Sequence, residues 1–201
     1  MKGMVALLAM LAGCGFEHGR LDDPTIGSTA DGGTDGATAI DTPAPVTCPS
    51  SYTMTLPSTT TKYRVIATPA AFASHHAACN QDQSGGTHLA SFETATEAME
   101  MRDAILAMSS PPGTQFYVGA VQKPSQTTTT TGWYVFTGGP LDPSLWVSTP
   151  NDDNAGENNE ENLGALNTGD LMHDVTGDLA YPAICECDGL TIDATVASYI
   201  P

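Results

Sequence analysis

Apolar and polar positions change their spacing along the chain, and each change marks a different element. Lys62 to Thr68 (KYRVIAT), with its aromatic and β-branched residues, reads as a strand. Thr68-Pro69 then offers a helix N-cap with proline at the first helical position, and the helix predicted from there to about Gln81 sets Phe72 and Cys79 on one face. A second helix is predicted from Thr94. There Thr94 and Glu97 form a capping box, and Ala98, Met101, Ile105 and Met108 recur at helical spacing up to Ser109. Pro111-Pro112-Gly113 stops it. Phe116 to Val121 (FYVGAV) and Trp133 to Phe136 follow as apolar strands joined by a polar tip at Thr127 to Thr131. After a long polar stretch, Leu163 to Leu166, Leu171 to Val175 and Ala183 to Cys187 are short strand candidates. Two helices, then short antiparallel sheets and a long irregular loop region, make an α+β domain over residues 48-188. Gly189 to Pro201, residues 189-201, form a C-terminal tail without a clear signal.

Two segments precede the domain. Lys2 supplies a basic start, Met4 to Leu11 an apolar run too short to span a bilayer, and Leu11-Ala12-Gly13-Cys14 a small-residue cleavage site, so residues 1-13 read as a signal peptide. The tetrapeptide resembles the lipobox of bacterial lipoproteins. That resemblance implies that Cys14 is diacylated and becomes the mature N-terminus, with two or three acyl chains, enough for stable anchoring. Gly15 brings no inner-membrane retention signal, so the expected location is the outer membrane or cell surface. Residues 14-47 hold the lipidated cysteine and a Gly-, Thr-, Asp- and Ala-rich stretch that buries too little surface to offset its ordering entropy, and they read as a flexible tether. Its Asp31 to Gly36 run lacks the terminal glutamate and flanking helices of an EF-hand.

Charge narrows the partners. The formal net charge is -17, and the six Lys and Arg are scattered singly. No basic stripe exists to neutralise phosphates, which excludes nucleic acid and leaves the N-terminal lipid as the expected membrane contact. A strongly acidic surface suits cation binding. With Cys14 lipidated, four cysteines remain (Cys48, Cys79, Cys185, Cys187), an even number in an oxidising compartment, and three pairings are open. Cys185 and Cys187 are each expected to take a different distant partner.

The richest stretch is Trp146 to Glu186. Tryptophan, Pro150-Asn151, Glu161-Asn162, His173-Asp174 and Ile184-Cys185-Glu186 follow one another in an order that resembles the second half of a C-type lectin-like domain. His88-Leu89-Ala90-Ser91-Phe92, Glu97, Phe116-Tyr117-Val118-Gly119-Ala120, Trp133 and Gly138-Gly139-Pro140 extend the likeness over about Tyr63 to Glu186. The resemblance implies a C-type lectin-like fold, a disulfide between Cys79 and Cys185, and hence a second between Cys48 and Cys187. Each closes a loop on the order of 100 residues, stabilising by roughly 4 to 5 kcal/mol in the chain-entropy model.

The same resemblance implies a Ca2+ site. Calcium takes six to eight oxygen ligands. Asn151, Glu161 and Asp174 match the family's calcium and sugar ligands in type, whereas Thr149 stands in place of a glutamate or glutamine and His173 in place of an asparagine, and imidazole is a poor ligand for so hard a cation. The family's second disulfide has no counterpart at Leu163 or Thr176-Gly177. An insertion supplies Asp152, Asp153, Asn154, Glu157, Asn158, Asn159 and Glu160 as further candidate metal ligands; the bland alternative is a solvated acidic loop. Catalytic patterns are missing. His75, His76, His88 and His173 form no His-Glu-x-x-His motif, His75 is expected to pack and His76 to face solvent, and no Gly-x-Ser-x-Gly or phosphate-cradling loop occurs. Glu160 and Glu161 form an acid pair of the kind a glycosidase uses, but that mechanism needs a raised-pKa acid in a cleft, and so polar a loop suggests ionised, hydrated carboxylates. The expectation is a recognition module for carbohydrate, with calcium, or for a protein ligand without it. An exported hydrolase ranks third, and enzymatic activity is not expected.

Overall fold

The computed structural model describes residues 46–83, 85–124, 126, 128, 130–146 and 161–201. Cys14, Thr149 and Asn151 lie outside the described residues, as do Asp152, Asp153, Glu157, Glu160 and the segments read as signal peptide and tether.

Twelve elements alternate along the described chain. They are β1 (Met54–Thr55), β2 (Lys62–Ala70), α1 (Phe72–Asp82), β3 (Thr87–Leu89), α2 (Ala95–Ala107), β4 (Gln115–Gln122), β5 (Trp133–Val135), a 3-10 turn (Pro143–Leu145), β6 (Leu163–Asn167), β7 (Met172–Val175), β8 (Tyr181–Cys187) and α3 (Ala194–Ala197). The strands join in one sheet, ordered β1-β2-β8-β4-β6-β7, with β3 on β8 and β5 on β4. Every pairing is antiparallel except β4 with β8, a parallel contact at Tyr117 and Ala183. β8 is the hub.

Alternation along β8 divides the core between the two faces of the sheet. Ile184 lies in the cluster that includes Tyr63 and α2's Ala98, Met101 and Ile105, while Ala183, Cys185 and Cys187 lie in the one that includes Phe72, Leu89, Tyr117 and Phe136. Each fully buried large side chain of this kind contributes about 1.5 to 3 kcal/mol. Both disulfides form with the pairing the resemblance implied, Cys79 to Cys185 and Cys48 to Cys187, with Cα separations of 5.4 and 5.8 Å. One glycine is dictated by contact. A Cβ on Gly119 would meet the Leu89 carbonyl oxygen at 2.4 Å, because the Gly119 N–H donates to Ala90 at 2.7 Å and draws β4 against the chain after β3.

Some local expectations are revised. The first helix does not start at Thr68-Pro69; β2 runs on to Ala70 and Ala71 precedes the helix without a side-chain cap. The β2–β8 register shifts between Ile66 and Ala70, so proline, which lacks an N–H, sits in a bulge where the ladder is interrupted. In α2 the Thr94 hydroxyl accepts from the Glu97 N–H at 3.2 Å as expected, but the Glu97 carboxylate accepts from Glu93 rather than closing the box on Thr94. Met108 is 56% exposed instead of packed, since the helix ends there and Ser109 turns into the left-handed region at φ 67°. The tail is ordered onto the domain. Asp193 caps α3 through the Thr195 and Val196 N–H groups, its own N–H donates to Phe136, and Val196 is buried. Among the described residues no helix is long and apolar enough to cross a membrane.

Candidate functional site

The site expected from sequence sits at one end of the β6–β7 pair. Antiparallel register sets Gly164 opposite Asp174 and Leu163 opposite Val175, so Glu161, just before β6, and Asp174, near the end of β7, belong to the same end of the hairpin. Trp146 forms a parallel bridge with Met172, two residues before Asp174 on β7. Trp133 and Trp146 pack edge to face with ring centroids 4.9 Å apart. Gln122, buried, donates its amide N–H groups to the Thr128 and Thr131 carbonyls at 2.7 and 2.8 Å, and its backbone N–H to Asn162. That ties the hairpin tip to the return of the loop.

The donor set is mixed in character. Glu161 is half-buried and Asp174 buried, both carboxylates suited to calcium. His173, in the position where the family resemblance implies an asparagine, places Nε2 2.8 Å from Asp170 Oδ1, so its ring is turned to a neighbour. Asn151 and the inserted acids Asp152, Asp153, Glu157 and Glu160 fall outside the described residues. A cavity of about 580 Å3 lies alongside, lined by Phe72, Gln122, Asn162, Leu163, Tyr199 and Ile200 among others.

The histidines do not gather. His75 is packed as expected, its Nε2 2.8 Å from the Tyr181 carbonyl. His76 does not face solvent: it is half-buried, stacks on Phe72 with centroids 6.0 Å apart and meets Phe136 edge-on at 5.5 Å. Burial lowers the pKa of both, so both are held neutral.

A second polar site was not anticipated. Between the N-terminus of α2 and β8 lies a cavity of about 530 Å3 whose lining includes the carboxylates of Glu93, Glu97, Glu186 and Asp188 and no basic side chain. The Tyr63 hydroxyl donates to Glu97 Oε1, and the Ser91 N–H donates to Glu186 Oε2 at 2.7 Å. Burial pushes Glu97 up to about 7, with the Glu93 charge adding to it against the Tyr63 hydrogen bond. Glu186 is raised well above the usual carboxylate range, again chiefly by burial, with the neighbouring Asp188, Glu97 and Glu93 charges adding and the Ser91 N–H opposing. His88 joins this group on the β3 side. It pairs directly with Glu186 across the β3–β8 ladder, and its Nε2 lies 3.3 Å from Asp188 Oδ1. Among the described residues, His88, Glu186 and Asp188 form the one group of three whose donor atoms, one from each, lie within 4.8 Å of one another. The sequence held one signal for it: Glu186 near the end of the last predicted strand and Asp188 just beyond it are two apart, the spacing that puts side chains on one face.

No protein-family model and no curated protein matches the sequence. Solved structures do. The C-type lectin CEL-I from Cucumaria echinata superposes with a TM-score of 0.56 at 18% identity, over 69% of this chain and 96% of that one. The carbohydrate-recognition domain of the mouse scavenger receptor C-type lectin gives 0.53 at 18% identity, over 70% and 97%. A calcium-independent type II antifreeze protein gives 0.52 at 18%, over 70% and 94%. The fold is C-type lectin-like.

Proposed function

We propose that the chain is an exported recognition module, held at the outer membrane or cell surface by lipid on Cys14, that binds carbohydrate through calcium at the end of the β6–β7 pair. The observation that carries this reading is that Glu161 and Asp174 stand at the same end of the β6–β7 pair, with Trp146 bridged to Met172 two residues before Asp174. Asn151, Glu161 and Asp174 would hold the ion, and the inserted Asp152, Asp153, Glu157 and Glu160 are further candidates for the positions that Thr149 and His173 do not fill. Bound calcium supplies open coordination positions for vicinal sugar hydroxyls. The residues themselves orient the sugar by accepting hydrogen bonds from those hydroxyls. Buried apolar clusters on both faces of the sheet support the β6–β7 pair that carries Glu161 and Asp174 at its end. The likeness to a carbohydrate-recognition domain and to a lectin supports recognition as the class.

Calorimetry of calcium against the full chain tests this reading: saturable binding that falls in Glu161→Gln and Asp174→Asn supports it, and no heat at millimolar calcium overturns it. A second reading, protein recognition without calcium, is favoured by the His173–Asp170 contact, which turns one expected ligand position away from a cation. The calcium-independent antifreeze protein among the structural neighbours is consistent with a fold that stands without the ion. Metabolic labelling with a radiolabelled or alkyne fatty acid, lost in Cys14→Ser, tests the anchor.

A further inference from the structure

We propose that His88, Glu186 and Asp188 form a site for a borderline divalent cation of the zinc type, using none of the residues of the β6–β7 end. The strand register builds it. His88 on β3 lies directly opposite Glu186 on β8, and Asp188 follows two residues on, so three donor side chains come within 4.8 Å of one another, with Glu186 Oε2 4.0 Å from Nδ1 and Asp188 Oδ1 3.3 Å from Nε2.

His88 is wholly buried, and its ring orientation is fixed from the other side. Nδ1 lies 2.8 Å from the Leu89 carbonyl oxygen. A carbonyl accepts only, so the proton of a neutral ring sits on Nδ1 and Nε2 presents a lone pair. Metal-bound histidines hold their second nitrogen in this way, donating to a carbonyl or carboxylate that sets the tautomer. Nε2 makes no hydrogen bond, yet it stands 3.3 Å from an Asp188 carboxylate oxygen. Two lone pairs facing each other in a buried place repel unless a positive charge lies between them. A proton on Nε2 would give an ion pair at 3.3 Å without a hydrogen bond, and a metal ion is the alternative source of that charge. A metal ion fits the spacing: ligands about 2.0 to 2.1 Å from a tetrahedral zinc stand about 3.3 Å apart.

The donor chemistry selects among cations. Calcium takes six to eight oxygens, and an imidazole nitrogen suits zinc, copper, iron or nickel instead. One nitrogen and two carboxylates, with the adjoining cavity of about 530 Å3 bordering Glu186 and Asp188, leave a further coordination position open to water or a small ligand. The backbone supports the carboxylates: Ser91 N–H donates to Glu186 Oε2 at 2.7 Å and Leu190 N–H to Asp188 Oδ1 at 2.8 Å.

The test is titration of the chelator-treated full chain with Zn2+ by calorimetry in millimolar calcium, and with Co2+ by visible absorption. The expected result is one zinc equivalent retained against calcium, cobalt bands of four- or five-coordinate intensity, and at least tenfold weaker binding with loss of those bands in Asp188→Asn. Asp188 lies at the rim and its variant is expected to fold; His88→Gln, checked for folding by circular dichroism, should behave likewise. No saturable zinc binding, displacement of zinc by millimolar calcium, or Asp188→Asn binding zinc as tightly as the parent overturns the proposal. These outcomes are independent of calcium binding at Glu161 and Asp174.

Discussion

Removing the two disulfides one at a time separates chain entropy from packing. The loops closed are of similar length, 106 residues for Cys79–Cys185 and 139 for Cys48–Cys187. Because the loops are nested, the chain-entropy model assigns the loss of either one with the other intact about 3.5 to 4 kcal/mol, differing by only about 0.2 kcal/mol in favour of the longer loop. Burial breaks the near-tie in the opposite direction. Cys79 and Cys185 are both fully buried in the cluster with Phe72, Leu89 and Tyr117, whereas Cys48 is only half-buried at the edge of that cluster. Replacing the inner pair by alanine removes two sulfurs from a packed interior and leaves a cavity, adding roughly 1 to 2 kcal/mol to the loss. The expected order is therefore that Cys79→Ala/Cys185→Ala loses more than Cys48→Ala/Cys187→Ala, by about 1 kcal/mol or more. Urea unfolding at neutral pH under non-reducing conditions, followed by tryptophan fluorescence, gives both numbers. A larger loss from the outer pair, or a loss below about 2 kcal/mol from the inner one, would refute the reasoning.

Further outcomes follow from particular contacts. Gly119→Ala drives a methyl against the Leu89 carbonyl and the Phe136 ring, so a loss of about 3 kcal/mol or more is expected by thermal or urea unfolding. Glu97 holds a proton in the folded state that the unfolded chain releases, its pKa moving from 4.5 to about 7. Its contribution to stability is complete below pH 4.5 and is lost as pH rises through 7, with a slope on the order of 1 kcal/mol per pH unit, and Glu97→Gln should flatten that fall in chelator-containing buffer. Tyr63→Phe removes the hydroxyl that donates to buried Glu97 and should cost about 1 to 3 kcal/mol, more at pH 8 than at pH 5.

Much of the fold was legible because the apolar pattern and turn residues agree with the tertiary structure. Phe72 and Cys79, the Thr94 cap, Met101 and Ile105, and the four longer strands after Pro112 appear where spacing put them. The exceptions are places where a non-local contact outweighs a local signal. Pro69 reads as a helix start, but pairing with β8 carries β2 past it through a bulge. β3 is three residues long and exists because β8 lies beside it. His76 stacks on Phe72 four residues earlier on α1, as helical spacing allows, but its edge-on contact with Phe136 is non-local and turns it away from water. The acidic cavity was hidden for the same reason. Glu97 reads as a capping residue and Glu186 as part of a sequence signature, and only the register of β2, β3 and β8 brings them together with His88 and Asp188. At the β6–β7 end, Glu161 and Asp174 were visible from the ordered motifs, whereas the engagement of His173 by Asp170 depends on the turn between β6 and β7.

Recognition at the β6–β7 end is tested most directly by a glycan array probed with the full chain in calcium, in chelator, and as the Glu161→Gln/Asp174→Asn variant. The expected result is a restricted set of glycans bound in calcium, with signal lost both in chelator and in the variant. Glycan binding that survives chelator and the double substitution alike would contradict calcium-mediated recognition by these residues.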